Sequence, residues 1–399
     1  MLEAELINLM QVRAFVRVAE LGSVSRAAEA LFRAQSVVTR AISELEARLR
    51  APLFERHANG MRPTDLGEHL LPRARRVLAE LDSVPRLLGQ AAAVEPLYLF
   101  QSRRLEIFVK LCETRHMQTV ASHFGLSQPA VSAALKVLEG GCGRPLFERT
   151  PRGLQPTRAS HDILFAVRRA LNELRHIETD LSALRGRLEG VVQVGALPLG
   201  RTRILPEAIV RLTAQHPGIR VITNESPFDL LATDLRAGDV DFVFGALRSG
   251  DYASDLQGEA LLTEDLVILV RDNHPWLQSA VGLAELTHAR WVLPRAGSPA
   301  RGLLDACFAS AGLEAPWPVV ESGDLAIIRG LLARSEMLAA VSAHQLHDEI
   351  AAGVLRVLPL SLPHTTRAIG LTQRSGCLHS PVALALMQSI RDVIAEQGV

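Results

Sequence analysis

Several things are scarce in this chain. Only four cysteines occur, Cys112, Cys142, Cys307 and Cys377, and none stands in a Cys-x-x-Cys pair. That argues against a zinc ribbon or a disulfide framework and for reduced thiols. The 13 histidines include His344 and His347 but form no evident metal set. Phosphate loop, HExxH, Gly-x-Ser-x-Gly elbow and dinucleotide fingerprint are all missing, so no enzyme, cofactor or metal is expected. No apolar run reaches ~18 residues, and the opening Met1-Leu2-Glu3-Ala4-Glu5 is acidic, which predicts neither a membrane span nor a signal peptide and places the protein in the cytoplasm. Net charge is lacking too: 43 basic residues balance 43 acidic ones, which taken whole speaks against a nucleic-acid partner.

Dividing the chain changes that reading. Residues 1–190 hold 27 basic and 21 acidic residues, and the remainder holds 16 and 22. Within the first part, residues 101–160 contribute 9 basic against 4 acidic. The basic half is therefore a candidate for phosphate contact. Lysine is nearly absent, two against 41 arginines, which suits forked contacts to phosphate and guanine and is equally what genome composition would give.

The basic half also repeats itself. Residues 15–64 align with 108–157 at an offset of 93 without a gap, and 17 of the 50 positions are identical. A unit of ~50–60 residues can fold as a domain, so the repeat is a duplicated domain rather than a solenoid. Each copy reads as a short helix, a turn, a second helix, and then Pro-Leu-Phe-Glu-Arg. In copy one the second helix runs over Gln35–Leu49, burying Val38, Ala41, Ile42, Leu45 and Leu49 at helical spacing. Its other face offers Gln35, Ser36, Thr39, Arg40 and Ser43. Copy two buries Val131, Ala134, Leu135 and Leu138, and offers Gln128, Pro129, Ser132 and Lys136. Its helix is expected to end early in Gly140-Gly141-Cys142-Gly143. Ala27-Ala28 and Val120-Ala121 are small enough for the preceding helix to cross closely, a helix-turn-helix pattern. Asn59-Gly60 reads as a two-residue hairpin loop, with Arg152-Gly153 in the same place, giving each copy a wing. Thr64 and Thr157 stand where helix N-caps belong.

These strings resemble the winged helix-turn-helix of the LysR-type transcriptional regulators. Copy two carries that family's Ser127-Gln128-Pro129-Ala130-Val131-Ser132, and both copies carry Pro-Leu-Phe-Glu-Arg. Copy one has Ala34 in place of the capping serine, at a cost of ~1 kcal/mol. The resemblance implies DNA contacts from Gln35, Ser36, Thr39 and Arg40 in copy one and from Ser127, Gln128, Pro129, Ser132 and Lys136 in copy two. Arg56, Arg149 and Arg152 on the wings would hold the double-stranded DNA backbone. Glutamine suits adenine, and arginine suits guanine or phosphate.

A long helix follows each wing. Thr157–Leu188 aligns Leu164, Val167, Leu171, Leu174, Ile177, Leu181 and Leu184 on one seam, which requires a partner helix. Thr64–Leu88 aligns Leu66, Leu70, Ala74, Val77, Leu78 and Leu81, with Pro72 and Pro85 expected to shorten its regular span. The two seams pair either with one another, building a pseudo-dimer from one chain, or with counterparts in a second subunit.

From Val191 the pattern becomes alternating strands and helices. Strands are expected at Val191–Val194, Ile219–Thr223, Asp241–Phe244, Leu266–Val270, Trp291–Leu293, Val319–Glu321 and Ala339–Val341, which predicts an α/β domain. The family resemblance continues in Leu188-Glu189-Gly190, Leu205-Pro206 and Leu235-x-x-Gly238-x-x-Asp241. It implies a two-lobed, periplasmic-binding-protein-like effector domain. The expected divisions are winged domain one 7–63, linker helix one 64–96, winged domain two 97–156, linker helix two 157–189 and effector domain 190–399. Lobe I would take about 190–258 and 347–399, and lobe II 259–346. Beyond strand carboxyl ends, Leu197, Pro198, Leu199, Ser226, Phe228, Ala246 and Ser298 are the candidate effector contacts; ordinary helix capping is the other reading of Ser226 and Ser298.

The expected function is a DNA-binding regulator, forming dimers or tetramers, in which a small molecule between the lobes shifts their closure and the packing of subunits. The alternative is a solute binder or enzyme fused to helical repeats without a DNA role.

Overall fold

Each half of the duplication folds around the same three-helix nucleus in the computed structural model, which describes residues 6–57, 60–90, 95–151, 153–248 and 254–397. Two compact units emerge, residues 1–189 with 236–239, and the remainder. In the first, copy one comprises α1 (Leu9–Leu21), α2 (Val24–Ala30), α3 (Gln35–Leu49), the hairpin β1 (Phe54–His57) and β2 (Gly60–Pro63), and α4 (Asp65–Leu87). Copy two comprises α5 (Ser102–Thr114), α6 (Met117–Phe124), α7 (Gln128–Cys142), β3 (Phe147–Thr150), β4 (Gly153–Pro156) and α8 (Arg158–Leu184).

The repeated strings do the same work twice. Glu46 Oε1 accepts the amides of Leu53 (2.7 Å) and Phe54 (3.3 Å), and Glu139 Oε1 accepts those of Leu146 (2.8 Å) and Phe147 (3.2 Å). The end of each recognition helix is thereby tied to its Pro-Leu-Phe strand. Phe54 meets Phe15 with ring centroids 5.5 Å apart, and Phe147 meets Phe108 at 6.0 Å. Thr64 and Thr157 cap the long helices and donate their hydroxyls to Pro52 O (2.9 Å) and Pro145 O (3.0 Å).

Three local expectations are corrected. Helix α7 does not stop at its glycines but runs through Gly141 to Cys142, giving it the same 15 residues as α3. The glycine there serves packing: a Cβ on Gly141 would overlap the Tyr98 ring, so only glycine admits that ring. Helix α4 is continuous through Pro72 and Pro85. Each proline removes one backbone donor, but burial of Leu70, Ala74, Val77, Leu81 and Val84 on one face holds the helix together. In the wing, Gly60 is not a loop residue: it pairs with His57 at φ +128, and Asn59 lies outside the described residues. A Cβ on Gly60 would overlap Gly22 O, and the neighbouring Met61 amide donates to that same oxygen at 2.9 Å.

The long helices pair within the chain. α4 and α8 run antiparallel, since Arg73 meets Glu173 and Asp180 whereas Glu80 meets Arg169. Two of the bonds are equivalents under the 93-residue offset: Arg76 Nε to Glu173 Oε1 (3.1 Å) and Arg169 Nε to Glu80 Oε1 (2.7 Å). Such reciprocity is what a two-fold interface produces, here inside one polypeptide. On the α8 seam Val167, Leu171, Leu174, Ile177 and Leu181 are buried, while Leu164 is half-buried and Leu184 is exposed beside the helix end.

The second unit contains two five-stranded sheets. The elements in chain order are β5 (Gly190–Ala196), α9 (Ile204–Gln215), β6 (Ile219–Asn224), α10 (Phe228–Ala237), β7 (Phe242–Ala246), β8 (Leu256–Glu264), β9 (Leu266–Arg271), α11 (Leu283–Leu286), β10 (Trp291–Leu293), α12 (Pro299–Ser310), β11 (Pro318–Glu321), α13 (Leu325–Leu332), β12 (Leu338–Ser342), α14 (His347–Ala351), β13 (Leu355–Val357), β14 (Arg367–Arg374) and α15 (Pro381–Gln397). Sheet one has the order β6-β5-β7-β14-β8 and sheet two β11-β10-β12-β9-β13. β5 pairs in parallel with β6 and β7, and β10 with β11 and β12. The remaining pairings are antiparallel. The lobe limits shift accordingly: residues 259–264 continue a strand of the first sheet, and 355–357 pair in the second, each across the division expected from sequence. The chain crosses between sheets at Asp265 and again between Val357 and Arg367.

Candidate DNA-reading helices and effector cavity

The recognition helices present their predicted polar faces, with two qualifications. Gln35, Ser36 and Arg40 on α3 and Gln128, Pro129, Ser132 and Lys136 on α7 are exposed, opposite buried Val38, Ile42 and Leu45 or Val131, Leu135 and Leu138. Thr39 is half-buried, and its hydroxyl donates to Gln35 O (3.0 Å), which leaves its oxygen able to accept only. Ser127 caps α7, accepting the Ala130 amide at 3.3 Å, whereas Ala34 supplies no such bond to α3. Arg40 bonds Glu44 at 2.7 Å and holds that carboxylate below its ordinary range, a pair open enough to water to be weak. Arg56 on β1 and Arg149 on β3 are exposed at equivalent wing positions, and Arg152 lies outside the described residues.

A feature sequence reasoning missed is Phe32, which stands in the turn before α3 with φ +53 and 93% exposure; copy two has Gly125 there, at φ +64. The offset alignment already displayed that mismatch.

In the second unit a partly open cavity of about 120 Å³ lies between the two sheets. Five expected residues line it: Leu197, Pro198 and Leu199 after β5, Ala246 at the end of β7, and Ser298 at the N-cap of α12. The other two do not. Phe228 is buried in the core behind Leu197, and Ser226 sits at the entry to α10, its amide bonded to Asn224 Oδ1 at 3.1 Å. Arg248, Gln345 and Arg367 also line the cavity, and nothing in their local spacing marked them. Arg248 lies over the Phe228 ring, 4.7 Å from its centroid. Arg367 is held at 2.8 Å by buried Glu264, which also accepts the Ser342 hydroxyl. That cluster joins the ends of β8 and β12 to the start of β14, where the chain crosses between sheets. Apolar walls with a few converging donors describe a small-molecule site.

Comparison with known proteins agrees with both halves. The model for "bacterial regulatory helix-turn-helix protein, lysR family" matches twice, at residues 9–68 and 102–161, and that for "LysR substrate binding domain" matches residues 185–395. The chain is 75% identical over 398 residues to the HTH-type transcriptional regulator GalR of Pseudomonas putida, covering all of both chains. It is 31% identical over 236 residues to GbpR of Azospirillum brasilense, covering 59% of this chain and 69% of that one. Among solved structures, a full-length single-residue variant of OxyR from Pseudomonas aeruginosa matches with a TM-score of 0.56 at 22% identity, over 74% of this chain and 94% of that one. CbnR in complex with its target DNA matches at 0.54 and 22%, over 73% and 99%. Both likenesses concern the fold. Among the described residues no helix is long and apolar enough to cross a membrane. The chain belongs to the LysR family and is a DNA-binding transcriptional regulator with an effector-binding domain, not an enzyme.

Proposed function

We propose that both recognition helices touch double-stranded DNA, through Gln35, Ser36 and Arg40 in copy one and Gln128, Pro129, Ser132 and Lys136 in copy two. Arg56, Arg149 and Arg152 then hold the backbone from the wings. The observation that carries this is the matched exposure of the two helices: each buries one apolar stripe and leaves an exposed polar face beginning with glutamine. Thr39 and Ser127 also order their helices, Thr39 donating to Gln35 O and Ser127 accepting the Ala130 amide, and each hydroxyl keeps hydrogen-bonding capacity for DNA. The regulator works in the cytoplasm, as an oligomer.

The effector occupies the interlobe cavity against Leu197, Pro198, Leu199, Ala246 and Ser298. Its lining suits a compact molecule with an apolar body and an oxygen-bearing end facing the N-terminus of α12 or Arg248. Binding shifts the population toward a closed pair of lobes and alters subunit packing, and through it the presentation of the winged domains on DNA. Footprinting on the DNA upstream of the protein's own gene, with and without an extract of cell metabolites, tests the scheme. A protected segment whose boundary changes with the extract is expected, and Gln35→Ala and Gln128→Ala should each weaken protection. Uniform, unsaturated binding with no protected segment would count against a regulatory role.

A further inference from the structure

We propose that one polypeptide is a complete two-headed DNA reader whose target is a non-palindromic pair of unlike elements, read in fixed order by copy one and copy two. The inference rests on the reading that both recognition helices contact DNA, and goes beyond it in fixing how the heads are paired and what symmetry the target has.

The first support is that the helix seam is already filled. α4 and α8 bury their apolar faces on one another, with the reciprocal bonds Arg76–Glu173 and Arg169–Glu80. The apolar face that would call for a second subunit is covered from within.

A second support is that the seam is not self-complementary. Arg73 is 1% exposed and bonds Asp180 and Glu173, themselves 6% and 8% exposed. Under the 93-residue offset the equivalent of Arg73 is Ala166, and that of Asp180 is Leu87. Pairing α8 with another α8 would bury Asp180 opposite Ala166, with no guanidinium. Pairing α4 with another α4 would set Arg73 against Leu87, with no aspartate. An α4 pair would keep Glu80, the equivalent of Glu173, beside Arg73, but only the unlike pair joins Arg73 to Asp180, so the sequence favours copy one against copy two.

The third support is the divergence of the reading faces. Gln35 and Gln128 are equivalent, but Arg40 corresponds to Ala133 and Lys136 to Ser43. The cation thus moves by three residues, almost one helical turn, between the copies. Two identical helices related by symmetry select inverted repeats. These two share one amide contact and then differ, so their elements should share one feature, an adenine under glutamine, and differ one turn further along.

The test is selection by the full-length protein from duplexes randomised over about 20–25 bp, room for two adjacent heads at one helical turn apart. Arg40→Ala and Lys136→Ala are carried through the same selection; both side chains are exposed, so both variants fold. The expected consensus has two unlike elements in constant order. Arg40→Ala should relax one of them by roughly tenfold or more in discrimination and leave the other unchanged, and Lys136→Ala should do the reverse. A two-fold palindrome in which one variant relaxes both arms equally would overturn the proposal while leaving DNA reading intact. Failure to enrich any sequence would overturn the DNA reading itself, and the proposal with it.

Discussion

Removing Arg73 should be among the most damaging single changes available in the winged-helix unit. Its guanidinium is 1% exposed between Asp180 and Glu173. Arg73→Ala leaves Glu173 with Arg76 at 3.1 Å but takes from Asp180 the guanidinium that holds it. Breaking a buried pair in this way costs ~3–5 kcal/mol, because the surviving charge stays buried. At ~2 kcal/mol per molar of urea, that moves an unfolding midpoint down by ~1.5–2.5 M. Asp180→Leu alone should cost less, ~1–3 kcal/mol, since Arg73 keeps Glu173. Arg73→Met with Asp180→Leu fills similar volume without charge and should return to within ~1 kcal/mol of the parent, or exceed it. Far-ultraviolet ellipticity reports both units but is weighted toward the winged-helix unit with its long helices, and the three tryptophans, Trp276, Trp291 and Trp317, all lie in the other unit, so their fluorescence isolates that unit as an internal control. The reasoning fails if Arg73→Ala leaves the helical transition in place, or if the double variant is no more stable than Arg73→Ala.

Neighbouring glycines in α7 should respond with opposite sign. Gly140→Ala, which meets nothing within 4 Å, should gain ~0.5–1 kcal/mol, whereas Gly141→Ala must displace Tyr98 and should lose ~1–3 kcal/mol, both read as urea midpoints. Burial pushes the Cys112 thiol up to about 12 and the Cys142 thiol up to about 11, so neither should react with iodoacetamide near pH 8 until urea unfolds the unit. Burial also lowers the pKa of His274, whose ring accepts the Trp276 amide at 3.2 Å and lies 3.4 Å from Glu336 O. The unfolded chain then takes up the proton first, so stability of the second unit should fall as pH drops below ~6.5, and His274→Gln should flatten that slope in Trp fluorescence melts.

The duplication and the strands with clear β-branched runs were readable from residues alone, because both signals are local or strictly periodic. The missed strands are instructive. β8, Leu256–Glu264, mixes charge and glycine with its leucines, and β14, Arg367–Arg374, is recruited to sheet one across a gap of more than a hundred residues. Nothing local demands either pairing. The same holds for Arg248, Gln345 and Arg367 at the cavity, brought together by tertiary structure from three distant segments. Conversely, the prolines of α4 and the glycines of α7 were read by intrinsic propensity, and packing overrode it. The buried faces of Leu70, Val77 and Leu81 hold the first helix, and the Tyr98 ring requires Gly141 in the second.

Which repeated residues stayed equal, and which did not, follows from the geometry of pairing. Glu46 and Glu139, Phe54 and Phe147, and Thr64 and Thr157 act inside one copy, so each copy needs its own. Arg76–Glu173 and Arg169–Glu80 are reciprocal, and a change in either residue type would break the seam in one place while leaving it in the other. A charge that must be answered only once is under no such restraint. Arg73 needs one acidic pocket, on α8 alone, and the positions equivalent to the pair are the uncharged Ala166 and Leu87. The copies therefore cannot substitute for each other in the seam, because any like pairing loses the Arg73–Asp180 bond. Fixed pairing in turn fixes which reading face lies on which side. Arg40 and Lys136 can then specialise on different bases without the penalty that a symmetric dimer would impose on both half-sites at once.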